Sequence, residues 1–162
     1  MAQTIPSFLA ESSLGKLARW LRLAGFDTRL DHAVPDIERL HRMARQESRI
    51  VLTRTHRIIR HIEQGEGLFI SSDIPLEQVR QVLGHFNLQL ADLKPFSRCA
   101  ICNQVLRAVP KSELPGTVPD YVRQHHNRFL ACSRCRRVYW RGTHSARTSA
   151  LIQQWFLPGL GP

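Results

Sequence analysis

An α/β fold, a parallel sheet flanked by helices and followed by a small second module, is what this sequence predicts, on three observations. Over residues 1–95, short apolar runs alternate with stretches of helical periodicity. All four cysteines fall beyond that stretch. The charge divides at the same place: residues 1–95 carry 13 Lys+Arg against 11 Asp+Glu, a net of +2, whereas residues 96–162 carry 10 against 2, a net of +8. Lys94-Pro95 marks the seam, because proline disfavours helix at the residue before it.

Taken in order, Ile5–Ala10 reads as a strand. Leu14, Leu17, Ala18 and Leu21 then recur at i, i+3, i+4 and i+7, with Ser12 or Ser13 available as the N-cap and Gly25 as the stop. Phe26–Leu30 is extended. Asp36–Glu47 is helical with Ile37, Leu40 and Ala44 inward, and Ile50–Thr53 is a short buried strand. A third helix carries Ile58, Ile59 and Ile62. Leu68–Ile70 makes a fourth strand, after which Pro75 opens a helix whose inner face is Leu76, Val79, Leu83 and Phe86. The order βαβαβαβα specifies a parallel sheet covered on both faces, with right-handed crossovers. Ligand sites in such sheets lie at the carboxyl ends of the strands.

The chain has 162 residues, 43% apolar and 22% charged, and no low-complexity tract, so it can bury a core. Of its 23 basic residues 20 are arginine, and the net charge of +10 implies a partner rich in phosphate. No apolar run approaches the roughly 18 residues that cross a bilayer, and Lys16, Arg19 and Arg22 interrupt the only N-terminal candidate. Met1–Ser13 has neither the basic start nor the small-residue end of a secretion signal. The expectation is a cytoplasmic protein with no membrane partner.

The second module has little helical periodicity. Val105-Leu106, Tyr121-Val122, Phe129-Leu130 and Val138-Tyr139-Trp140 are short β-like pieces that bury too little apolar surface by themselves, so a metal staple is expected. Leu151–Leu157 is expected to form a terminal helical turn, and Gly159, Gly161 and Pro162 a frayed end. Cys99-Ala-Ile-Cys102 and Cys132-Ser-Arg-Cys135 are two C-x-x-C knuckles 29 residues apart. Four thiolates match the closed tetrahedral shell of a structural zinc ion, and a dithiol redox pair is the competing reading. Arg134, Arg136, Arg137 and Arg141 cluster around the second knuckle, with Tyr139 and Trp140 among them. Guanidinium groups neutralise phosphates and aromatic faces stack on unpaired bases, which suits RNA; a solvated basic surface with a buried tryptophan is the alternative.

Acidic residues sit at or just beyond the strand ends of the first module: Glu11 after the first, Asp31 and Asp36 after the second, Asp73 after the fourth. On one rim of a parallel sheet they could share Mg²⁺ or Mn²⁺, the hard cations that orient water and neutralise developing charge in phosphodiester hydrolysis. Singly, Asp36 and Asp73 would serve as helix N-caps and Glu11 and Asp31 as solvated acids. Lys16, Arg19 and Arg22 form a basic stripe on the first helix, set to hold a nucleic-acid backbone or simply to face water. Arg54, after a buried strand, could meet a phosphate or pair with a rim carboxylate.

The run Phe8-Leu-Ala-Glu-Ser-Ser-Leu-Gly-Lys-Leu-Ala-Arg-Trp-Leu-Arg-Leu-Ala-Gly-Phe-Asp27, followed by Ile50-Val-Leu-Thr-Arg54, the two knuckles and Tyr139-Trp-Arg-Gly-Thr-His144, resembles the PIN-like ribonuclease family named after the C-terminal domain of the mutator-seven exonuclease. The resemblance spans roughly residues 7–147. It implies a PIN-like nuclease domain over 1–95, a zinc ribbon over 96–147 and a C-terminal tail over 148–162, acting on RNA (tRNA or rRNA among the candidates) with a divalent metal. The family's first two acidic positions fall on Glu11, usually an aspartate, and on Asp36. A third falls on Thr55, which has no anionic oxygen, leaving Asp73 as the compensating carboxylate. The resemblance therefore admits two outcomes: a metal-dependent ribonuclease, or a catalytically weakened or inactive RNA- or ribosome-binding protein.

Overall fold

The computed structural model describes residues 5–155, and of Thr143 and His144 the backbone alone. Four parallel strands form the first sheet: β1 (Ser7–Ala10), β2 (Thr28–Leu30), β3 (Arg49–Thr53) and β4 (Gly67–Phe69), in the spatial order β2-β1-β3-β4. Helices α1 (Gly15–Ala24), α2 (Ile37–Glu47), α3 (His56–Ile59) and α4 (Pro75–His85) follow the strands in turn. The expected α/β class is therefore present.

Burial explains the two-layer coverage. Alternate residues of a strand face opposite sides, so Phe8, Ala10 and Leu52 pack with Leu14, Leu17 and Leu21 of α1 and Val79, Val82 and Leu83 of α4. Leu9 and Val51 face the other way, against Leu40 and Ala44 of α2 and Ile58 of α3. Phe86 joins the first layer against Phe8, with ring centroids 5.4 Å apart. Leu76 does not: expected inward, it is exposed, one position after Pro75 in a first turn that has not yet reached the sheet. The third helix is a single turn that ends before Ile62, which nevertheless packs against the α2 layer.

Helix α1 starts later than either candidate serine cap, because Ser12–Leu14 forms a 3₁₀ turn ahead of it. Its stop is Gly25, at φ 101°. The seam closes on this end: Lys94 N–H donates to Ala24 O at 2.9 Å and Phe96 N–H to Leu23 O at 3.0 Å. A Cβ on Gly25 would lie 2.4 Å from Lys94 O, so the position requires glycine for both its conformation and its space.

Beyond the seam, β5 (Arg107–Val109), β6 (Phe129–Ala131) and β7 (Val138–Trp140) make an antiparallel sheet in sequence order. Val105-Leu106 is not a strand; only an isolated bridge joins Arg98 to Val105. Tyr121-Val122 is helical, within α5 (Asp120–His125): Pro119 at the N-cap and Asp120 in the first turn start a helix, and Val122 is its buried anchor. The expected terminal turn is instead a twelve-residue helix, α6 (Thr143–Gln154). Ile152 and Trp155 return to the first core, where Trp155 meets Trp20 edge-on with centroids 5.6 Å apart. The glycine-rich end expected to fray lies outside the described residues.

Candidate active-site rim and metal centre

Glu11 is the first residue after β1, and its N–H donates to Leu52 O at 3.1 Å, so the two central strands fix its backbone. Its side chain is 2% exposed. Four donors surround the carboxylate. Ser13 Oγ (2.7 Å) and the Arg54 N–H (2.9 Å) donate to Oε1, and Thr53 Oγ1 (2.6 Å) and Thr55 Oγ1 (3.1 Å) donate to Oε2. These account for the roughly four acceptor positions of a carboxylate. Thr53, itself fully buried, also accepts the Thr55 N–H at 3.0 Å, so the end of β3 wraps around Glu11. From the sequence Ser13 is a candidate helix cap and Thr53 the end of a strand; neither is read there as a partner of Glu11. The available signal was a threonine closing the apolar run Ile50-Val51-Leu52.

The other acids at this rim have partners of their own. Asp31 continues β2, its N–H donating to Ala10 O, and its carboxylate receives Arg39 Nε and Nη2 at 3.1 and 2.7 Å. Asp36 is exposed and caps α2, accepting the Arg39 N–H at 2.8 Å. Asp73 is exposed and ion-pairs with Arg54, whose Nε is buried without a partner. Glu11, Asp36 and Asp73 do not form a common ligand set: among the described residues, groups of three or more His, Cys, Asp or Glu ligand atoms within 4.8 Å of one another are His41/Glu63/Glu66 and the four cysteines. Glu11 enters none of the ion pairs found among the described residues. Three hydroxyls and the Arg54 N–H occupy the Glu11 carboxylate, so a hard cation such as Mg²⁺ or Mn²⁺ would bind there by displacing at least one of these donors.

Of the basic stripe on α1, Lys16 and Arg19 are exposed, but Arg22 is not available to a nucleic acid. Because α1 faces the second module at this point, Arg22 is 5% exposed; its Nε donates to Thr28 O at 2.7 Å and its Nη1 to Ile101 O at 2.7 Å and Ala100 O at 3.3 Å. Arg22 is a strut between the first sheet and the first knuckle. Asn103 completes the joint, accepting the Thr28 N–H at 3.0 Å and donating to Asp27 at 2.7 Å, while Asp27 pairs with Arg49 (2.6 Å) and Arg98 (3.2 Å).

The cysteine site is formed by matched turns. Cys99 N–H donates to Gln104 O and Cys132 N–H to Arg137 O, and the residue after each second cysteine, Asn103 or Arg136, takes positive φ, 67° and 57°. The turns bring Cys99 Sγ to 3.5 Å from Cys135 Sγ and Cys102 Sγ to 3.2 Å from Cys132 Sγ. Burial opposes charge on Cys99, but the Tyr139 hydroxyl and the backbone N–H groups of Cys102 and Ile101 outweigh it and bring the thiol down to about 6. Burial and the hydrogen bond with Cys132 push Cys102 up. Four such sulfurs, unable to ionise together without a cation between them, fit a soft-ligand metal ion such as zinc. Arg134, Arg136, Arg137 and Arg141 stand exposed around it, and none ion-pairs among the described residues.

A parallel sheet with acids at its carboxyl rim is thus joined to a tetracysteine module whose sulfurs could hold a metal ion. The chain belongs to the Mut7-C RNAse domain family, whose model matches residues 6–152. Over 101 residues, 59% of this chain, it is 37% identical to the exonuclease mut-7 homolog of Homo sapiens, of whose length the match covers 11%. No solved structure matches it. Among the described residues no helix is long and apolar enough to cross a membrane.

Proposed function

We propose that the protein is a metal-dependent ribonuclease hydrolysing RNA phosphodiester bonds, with a nuclease unit over 1–95 and a structural zinc ribbon over 96–147 that aids RNA binding. The observation that carries this reading is Glu11: a buried carboxylate at the end of the central strand, with no cationic side chain paired to it. Glu11 would anchor Mg²⁺ or Mn²⁺, with Asp36, here the cap of α2, and Asp73, here the partner of Arg54, drawn in as further carboxylates only when the ion and RNA are bound. Such an ion supplies an activated water and neutralises charge on the phosphate. Lys16, Arg19 and the arginines of the second knuckle position the strand through its phosphates, and Arg54 exchanges Asp73 for a phosphate oxygen when RNA arrives.

A second reading, an RNA- or ribosome-binding protein without cleavage, is favoured by one contact: Thr55 Oγ1 donates to Glu11 Oε2, filling with a hydroxyl the place where the resemblance implies a carboxylate. Incubation with labelled single-stranded and structured RNA in Mn²⁺, beside the Glu11→Gln/Asp36→Asn double variant, separates the two. Cleavage by the parent chain that the double variant lacks is the expected result. Equal binding with no cleavage by either supports the second reading.

A further inference from the structure

A cleft of about 610 Å³ opens between α1 and the second knuckle, within the size range of ligand pockets. Its walls differ chemically. Arg19 and Leu23 of α1 line one side; Arg136 and Arg137 of the knuckle, with Tyr139 and Trp140 of β7, line the other; and the loop over 115–118 forms an edge. The three arginines are exposed and make no ion pair among the described residues. Arg136, whose φ of 57° belongs to the knuckle turn as that of Asn103 does, is among the residues lining the cleft.

We propose that this cleft seats an unpaired stretch of single-stranded RNA, its phosphates on Arg19, Arg136 and Arg137 and a base against the half-buried indole of Trp140. Three exposed guanidinium groups without ion-pair partners favour an anion, and Trp140 at the edge of the same cleft offers a ring for a base to stack on, a combination that unpaired nucleotides satisfy and duplex RNA, its bases stacked inward, does not. Helix α1 then leads the strand towards the rim. Lys16 lies three residues N-terminal to Arg19, about 4.5 Å along the axis, and in the first turn after the segment that holds Glu11. The inference rests on RNA as the substrate, but not on cleavage.

Binding to the zinc-loaded full chain, without added Mg²⁺ or Mn²⁺, tests it by fluorescence anisotropy with a labelled single-stranded oligoribonucleotide and a duplex of equal length. The variant Arg19→Glu/Arg137→Glu is compared with Arg42→Glu/Arg60→Glu, an equal charge change at exposed sites on the opposite face of the sheet. The cleft variant is expected to weaken single-strand binding at least tenfold and to flatten its salt dependence by one to two log units per log unit of salt, with the control changing less than about threefold. RNA should also quench tryptophan fluorescence in the parent chain and not in Trp140→Phe. Zinc content and melting temperature verify that each variant is folded, and the single variants Arg19→Gln and Arg137→Gln replace the double one if it is not. Equal losses in cleft and control variants, or duplex bound as tightly as single strand, overturn the proposal. Since nothing is cleaved in this experiment, its failure leaves the role of Glu11 standing, and an inactive Glu11 leaves the cleft standing.

Discussion

Glu11 holds the most concentrated set of hydrogen bonds at the rim, and it does so with an arm one methylene longer than the aspartate the family resemblance implies. Replacing it by glutamine keeps the shape but turns an amide NH₂ towards donors that have lost their acceptor. The cost of leaving such groups unsatisfied is about 1–3 kcal/mol, so Glu11→Gln should lower the melting temperature measurably even before activity is considered. Asp27 makes the second residue-scale prediction. Burial raises its pKa, but hydrogen bonds from Arg49 and Asn103 and the charges of Arg49 and Arg98 win, holding it below its ordinary 3.8. A carboxyl depressed in the folded state contributes stability above its unfolded pKa and loses it as pH falls through the folded value. Thermal melts should therefore drop below about pH 4, and Asp27→Asn should be less stable at neutral pH with a shallower acid limb. Arg136 predicts the opposite sign: Arg136→Gly relieves a positive φ and should leave stability unchanged or raise it by up to about 1 kcal/mol, while weakening RNA binding.

The elements were legible to different degrees, and the reason is where their stabilising contacts come from. The four strands and α1, α2 and α4 advertise themselves because their apolar period is local and both sheet faces are covered. The knuckles were legible from cysteine spacing alone. Two elements differ from the sequence reading: α5, where Tyr121-Val122 reads as β-like although Pro119 and Asp120 start a helix, and α6, which is longer than the expected terminal turn and is anchored by Ile152, with Trp155 just beyond it, in a core formed by distant elements. Arg22 looked like part of an exposed stripe, since nothing local shows that Ala100 and Ile101 will cover it. The acids were found by position, but the hydroxyl shell around Glu11 was not, because serine and threonine carry no signal until strands β1 and β3 are paired. The Gly25 stop tests the element scale. Gly25→Ala adds a strained φ and a clash with the backbone of Lys94, and should cost at least about 2 kcal/mol in chemical denaturation.

At the scale of the molecule, the two sheets are joined by polar contacts through Arg22, Asp27, Thr28 and Asn103 and by the seam backbone on the end of α1. Removing a metal from the cysteines should release on the order of 10 kcal/mol of binding energy from a module whose own apolar cluster centres on Leu114, Val118, Val122 and Phe129. Hydrogen exchange after chelation should show loss of protection over 98–140 and at the Arg22–Thr28 turn, with β1 and β3 still protected; uniform loss would mean that the first sheet cannot stand without the second. The central claim, that catalysis is organised around Glu11, is tested most directly by initial rates of single-stranded RNA cleavage in Mn²⁺ for the parent chain, Glu11→Gln and Thr55→Asp side by side. Cleavage by the parent, slowed at least about 100-fold in Glu11→Gln and accelerated in Thr55→Asp, is the predicted result. A Glu11→Gln chain that cuts RNA at the parental rate, or a parent and a Thr55→Asp chain that both leave it intact, would contradict it.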